Sequence, residues 1–408
     1  MSDHILNEGY NKKNNLFIKG SGSKIYNKSK LIDLSFSAGA LLLGHQHNVF
    51  VKAINYILKK NISNFAAPNI YAKDYSRKIK QTILNSSKII FCNSGTEAVI
   101  KSLRIVKALN NKKKIVNVTG SWHGSVDKLL FFPNKKLKPQ FLSAGLSEDD
   151  KKNLIFIPYN EIKNSKKILD KNINNISCIL IEPIQASLPT YQAKSYLKFL
   201  SNYSKKNNII LIFDEIITGL RTNGSSVQKF YNIKADISIL GKCYGGGFPI
   251  GIISISKKIE TKLRKEKIKV FFGGTFSGNP ISMLVGIKIF DFVQKNKKKI
   301  FHKINKNSIY FQNKMNIFFD ENKLDLKIYR FESILRIVFS KSQILNRVQR
   351  DFFESKKNKK IMMFKKYIEK NKIYYPQSGI IFVSQQTTKK DLDYVIKVVK
   401  RASLIYFK

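Results

Sequence analysis

NIILIFDEIITG (208–219) and ISILGKCYGGGFPIGIISIS (237–256) decide the fold of this chain. In the first, a β-branched apolar run ends on Asp214 and Glu215. In the second, ISIL (237–240) stops short of Lys242, three glycines follow at Gly245, Gly246 and Gly247, and IGIISIS (250–256) resumes the apolar pattern. Short apolar runs bounded by such breakers read as buried strands. Lys242 follows Asp214 by 28 residues.

Working outward, the pattern repeats. KIIFC (88–92), KIVNV (114–118) and ISCILIEP (176–183) are further apolar runs. SGTEAVIKSLRIVKAL and YLKFLSNYSKK between them carry apolar side chains at helical spacing. Strands alternating with helices predict an α/β protein: a mostly parallel sheet covered on both faces, with functional residues beyond the strand ends. HNVFVKAINYILKK (47–60) and YAKDYSRKIKQTIL (71–84) read as helices, and FIKGSG and KIYNKSKLIDLSF as short strands turning near Asn27 and Lys28. Past about residue 285, VGIKIFDFVQ, ESILRIVFS, IIFVS (380–384) and DLDYVIKVVKRAS predict a compact α+β unit packed with the N-terminal strands. The expected division is 1–50 as an N-terminal contribution to the small domain, 51–286 as the large domain and 287–408 as the C-terminal part of the small one.

A chain of 408 residues that is 43% hydrophobic can bury two such cores. No stretch is long and apolar enough for a membrane span, and MSDHILNEGYNKK lacks the apolar centre of a secretion signal. Cys92, Cys178 and Cys243 are scattered and odd in number, with neither zinc spacing nor a disulfide framework. A reducing cytoplasm and no metal are expected. The net charge of +47 raises the question of nucleic acid. The lysines, however, spread along the chain in runs such as KKK (112–114) and KNKKK (295–299), together with abundant Asn and Ile, and no nucleic-acid motif accompanies them. No nucleic-acid partner is expected; a mild attraction for acidic metabolites is.

Three further motifs stand with the Asp214–Lys242 pair. In FCNSGTEA, Ser94, Gly95 and Thr96 mark a strand end running into a helix, where a glycine, two hydroxyls and free amides can cradle a phosphate. The same string could simply cap a helix with Glu97. Trp122, His123 and Gly124 follow KIVNVTG. Trp122 can lie flat on a planar ring or be core, and His123 fits a supporting role better than that of general base. Glu182 and Glu215 either orient ring substituents or serve as structural partners. In GGTFSGNP (273–280), Thr275 is a hydroxyl and amide donor suited to a phosphate.

The cofactor these groups fit is pyridoxal 5'-phosphate. Asp214 would keep the pyridine nitrogen protonated, making the ring an electron sink. Lys242 would close a Schiff base with the cofactor and, once freed, carry protons, which requires a neutral amine with a depressed pKa.

NSGTEA, the WHG segment, EP (182–183), LIFDEIITGLR, GKCYGGGFPIG and GGTFSGNP occur in the order found in class-III pyridoxal phosphate aminotransferases, which the chain resembles from about residue 30 to 285. Within that class it looks most like the glutamate-1-semialdehyde 2,1-aminomutases, on LIFDEIITGLR, GHQHNVF (44–50) and IPYNE (157–161). The resemblance implies the fold type I of pyridoxal phosphate transferases and a homodimer with shared active sites, in which Thr275 reaches the phosphate of the neighbouring subunit's cofactor. It carries Lys242 and Asp214 over as catalytic residues, and the Ser94–Gly95–Thr96 turn as cofactor-binding. Trp122 stands where the family has Tyr or Phe.

Three departures touch the substrate shell. The aminomutases' N-terminal arginine motif is missing, since no arginine precedes Arg77. YYPQSGIIFVS has Gly379 at the place of their C-terminal glutamate, and EPIQAS carries Gln185 in the manner of an ordinary aminotransferase. The expected function is therefore amino-group transfer between a small amino donor and an aldehyde or ketone acceptor through Lys242, the alternative being aminomutase chemistry that yields 5-aminolevulinate. Residues 128–150 are a candidate closing lid. A non-catalytic protein on the same fold is disfavoured by the retained Asp214 and Lys242.

Overall fold

The computed structural model describes residues 16–408; MSDHILNEGYNKK, read above for a secretion signal, lies outside the described residues. Seven strands form the central sheet: β1 Ser86–Cys92, β2 Lys114–Val118, β3 Leu154–Ile157, β4 Ile176–Ile181, β5 Ile210–Asp214, β6 Ile237–Gly241 and β7 Gly251–Ser256. Their order is β1-β7-β6-β5-β4-β2-β3. From β6 to β3 every pairing is parallel, while β7 runs antiparallel to both β6 and β1.

The strands are apolar throughout because both faces are covered. Ile210 and Ile212 pack with the helix α3, Gly95–Leu109, on one face; Leu211 and Phe213 pack on the other, with α5, Lys194–Lys206. Leu240, Ile250 and Ile252 meet a larger cluster that includes Ala53 and Ile57 of α1 (Asn48–Lys59), Tyr75 and Ile79 of α2 (Ile70–Lys80) and much of α6 (Pro280–Lys295). Strand alternation sends neighbouring side chains to opposite cores, so a continuous apolar run is required rather than an amphipathic one.

The smaller domain draws on both ends of the described chain. Lys30–Asp33 pairs antiparallel with Lys24–Tyr26 and parallel with Ile373–Tyr374. A three-stranded antiparallel sheet joins Lys327–Phe331, Ile334–Val338 and Ile380–Phe382. The 25-residue helix Lys297–Glu321 has no counterpart in the sequence reading: lysines and asparagines dilute its apolar stripe, yet Ile300, Ile304, Phe311, Met315 and Phe319 are buried. Strand β3 was likewise missed. The segment 128–150 contains a hairpin, Phe131–Pro133 with Pro139–Phe141, and a short helix, Glu148–Lys152. Among the described residues no helix is long and apolar enough to cross a membrane.

Candidate active site

All the candidate residues but Thr275 gather at one edge of the sheet because each stands at or just past the carboxyl end of a strand or in the turn that follows it, where Ser94 follows β1, Trp122 and His123 follow β2, Glu182 follows β4, Asp214 closes β5 and Lys242 follows β6. Asp214 pairs in register with Ile239, so Lys242 lies three residues further along the adjacent strand path.

Asp214 is 3% exposed. Its Oδ2 lies 2.7 Å from His123 Nδ1, and its Oδ1 accepts from the Ile216 amide at 3.1 Å. The carboxylate on Nδ1 makes that nitrogen the donor and leaves Nε2, buried and without a partner among the described residues, at the far end of the ring. Glu182 sits beside this pair. It accepts from the Trp122 amide at 2.5 Å and from the Ala186 amide at 3.3 Å, and burial, with the nearby Asp214 charge, pushes its carboxyl up to about 7. The indole of Trp122 is half exposed. Glu215 takes the structural alternative: its carboxylate turns away to accept from the Val227 and Gln228 amides at the start of the helix Val227–Tyr231 and from Thr218, and burial pushes it up to about 7.

Lys242 has φ +46, a left-handed backbone that few non-glycine residues adopt, held between the end of β6 and the turn at Gly246. Burial is the largest cause holding its ammonium below the ordinary lysine range, against Glu182, Cys243 and Asp214, with Arg221 adding to the depression. Its Nζ donates to the Ala38 carbonyl at 2.8 Å. That carbonyl belongs to a turn, Phe36–Gly39, in which Phe36, Ser37 and Ala38 are all left-handed (φ 45, 55 and 52). Three such residues cost roughly 3–6 kcal/mol, so the surroundings must over-determine the turn. Asp33 does part of this, accepting from the Ser35 and Phe36 amides at 2.7 and 3.0 Å while His45 of the GHQH string pairs with it at 2.7 Å. This turn has no local signature in FSAG, since left-handed positions normally announce themselves as Gly or Asn.

Ser94 caps α3, accepting from the Glu97 amide at 3.1 Å, and Gly95 and Thr96 form its first turn. The cradle is closely fitted. A Cβ on Gly251 would stand 2.0 Å from the Ser94 carbonyl oxygen, and one on Gly124 would stand 2.2 Å from Thr96 Oγ1. Thr275 is not part of the buried cluster; it is exposed, in the turn after Gly274. The loop before it is tethered to α3 by Lys101, a buried lysine that pairs with Glu97 and donates to the carbonyls of Phe272 and Gly273 at 2.8 and 3.3 Å.

These features fit pyridoxal phosphate: a buried carboxylate for the ring nitrogen, an unpartnered His123 Nε2, a lysine amine with lowered proton affinity, and a helix N-terminus whose crowded glycines leave backbone amides open to a phosphate. Residues 7–325 match the family model for class-III aminotransferases. The chain belongs to that family and is a pyridoxal phosphate-dependent enzyme. It is 33% identical to the glutamate-1-semialdehyde 2,1-aminomutase of Wigglesworthia glossinidia brevipalpis, over 90% of this chain and 85% of that one. It is 28% identical to the aminomutase of Methanosphaera stadtmanae, over 93% and 89%. Its fold matches an omega-transaminase from Sphaerobacter thermophilus with a TM-score of 0.86 (19% identity, covering 95% and 90%). It also matches a glutamate-1-semialdehyde aminomutase from Pseudomonas aeruginosa with a TM-score of 0.83 (15% identity, covering 95% and 87%).

Proposed function

We propose that this chain moves an amino group between a small amino donor and an aldehyde or ketone acceptor, with Lys242 and Asp214 as the catalytic residues. The observation that carries this is the paired strand ends, Asp214 buried at the end of β5 and Lys242 just past β6, at one edge of the sheet. Bound pyridoxal phosphate would supply a cationic ring that accepts the electrons of the carbon that loses its proton. Asp214 would hold the ring nitrogen's proton, and His123, bonded to Asp214 Oδ2, fixes that carboxylate's orientation. Ser94, Gly95 and Thr96 would hold the phosphate at the start of α3 and Trp122 would cover the ring, while Glu182 holds the Trp122 backbone in place. Lys242, with its lowered proton affinity, would hold and move the substrate carbon's proton at Nζ.

Thr275 acts in a second subunit's site. Phe271 and Phe276 beside it, and Ile70 across the Asn69–Gly278 hydrogen bond, leave apolar surface exposed, which supports a homodimer with shared active sites. The excess of positive charge favours anionic substrates.

The aminomutase reading is the second one, favoured by relatives of that name at 28–33% identity. Against it stands Gly379, with φ +74, where a Cβ would lie 3.1 Å from Arg336 Nη1: that position is crowded by an arginine instead of bearing an acidic side chain. Spectral half-reactions decide between them. Glutamate converting the bound cofactor to its amine form supports transfer from an external donor. A response to diaminovalerate alone, with 5-aminolevulinate formed from glutamate-1-semialdehyde, overturns it in favour of the mutase.

A further inference from the structure

Arg221, two residues past the glycine of LIFDEIITG, is 1% exposed, and every partner it has among the described residues is neutral. Its Nη1 donates to Ser333 Oγ at 2.8 Å and to the Val383 carbonyl at 3.3 Å, and the guanidinium lies over the Phe382 ring at 5.0 Å. Its Nη2 donates to the Gly39 carbonyl at 2.6 Å and approaches Cys243 Sγ at 3.7 Å. Cys243 Sγ itself donates to Gly39 O at 3.1 Å. One planar fork therefore ties the small domain's sheet, the left-handed turn and the residue next to Lys242. Lys242 Nζ and Arg221 Nη2 occupy successive carbonyls of that turn, Ala38 O and Gly39 O.

A buried guanidinium without a counter-ion is costly, and simple packing would be served as well by an apolar side chain. We infer that Arg221 is a positioning residue for Lys242: it locks the Phe36–Gly39 turn so that Ala38 O receives the lysine amine whenever the cofactor is not holding it. Asp33 braces the turn from one side and Arg221 from the other. The groups facing Lys242 are Asp214, Glu182, Cys243 and Arg221, with His123 behind Asp214. Of these only Arg221 carries a fixed positive charge, and it opposes the two carboxylates. Geometry and charge are separable, since a lysine at 221 keeps the charge but cannot grip Gly39 O, Ser333 and Val383 O together.

The inference rests on Lys242 being the cofactor's lysine, so borohydride reduction of the wild type loaded with pyridoxal phosphate comes first. If the label is not on the Lys242 peptide, it is the proposed function that falls. With that in hand, the cofactor-free protein is labelled with trace acetic anhydride across pH, and the Lys242 peptide is quantified by mass spectrometry. Arg221→Met should move the Lys242 curve to higher pH, lowering its labelling at neutral pH several-fold. Arg221→Lys should leave the curve in place yet slow capture of pyridoxal phosphate several-fold, followed by absorbance. A folded Arg221→Met protein with an unmoved curve and unchanged capture overturns the inference. If Arg221→Met does not fold, Ser333→Ala decides: slower capture supports the positioning role and unchanged capture refutes it.

Discussion

Glu182→Gln offers a test in which burial and hydrogen bonding pull in opposite directions with pH. Both carboxylate oxygens accept, from the Trp122 and Ala186 amides, and burial raises the carboxyl from 4.5 to about 7. A carboxyl whose folded pKa lies above its unfolded one contributes stability at low pH that is lost as pH rises toward the folded value. The window here runs from about 4.5 to about 7. The span corresponds to about 3 kcal/mol at 1.36 kcal/mol per unit. Glutamine has no charge to desolvate but turns an amide N–H toward one of the two donors, losing a hydrogen bond worth about 1 kcal/mol. The variant of the cofactor-free protein should therefore be less stable than wild type by about 1 kcal/mol below pH 4.5 and more stable by about 2 kcal/mol above pH 7, the two curves crossing between. Urea midpoints across pH measure this. Glu215 titrates in both proteins and cancels in the difference. Parallel stability curves would refute the assignment of that buried charge to Glu182.

Lys242→Ala should abolish borohydride trapping of the cofactor and slow turnover by 10²-fold or more, on the order of general acid–base catalysis. Asp214→Asn should leave trapping on Lys242 intact while the half-reaction with an amino donor slows by a comparable order, read by stopped-flow absorbance. Gly251→Ala drives a methyl group into the Ser94 carbonyl, for which the cradle has 2.0 Å of room. It should weaken cofactor retention on dialysis at least tenfold and lower stability by about 1–3 kcal/mol. Thr275→Ala should weaken cofactor retention too, and mixing it with Lys242→Ala subunits should restore one competent site per mixed dimer if Thr275 acts across the interface.

The sheet was legible because its strands are short, β-branched and buried on both faces, so composition alone marks β4, β5, β6 and β7. The direction of β7 was not, since an apolar run carries no sign of polarity. The residues at the strand ends were legible for a related reason: Asp214, Glu182 and Lys242 are polar side chains interrupting apolar runs. The turn at Phe36–Gly39 and the placement of Arg221 were hidden, because each depends in part on partners more than a hundred residues away and neither breaks a local pattern. Helix Lys297–Glu321 was obscured by a surface so rich in lysine that its buried stripe no longer stood out.

The pairing of Lys30–Asp33 with Ile373–Tyr374 joins segments about 340 residues apart. During synthesis, then, the first strands leave the ribosome long before their partner exists, and so does the turn that receives Lys242, whose brace Arg221 is itself held by Ser333 and Val383. The central sheet can assemble while translation continues, but the lysine's acceptor is fixed only once the distal segments arrive. Chains cut short after the large domain should therefore fold in part and remain unable to seat the amine, and a nascent enzyme gains its chemistry late and all at once.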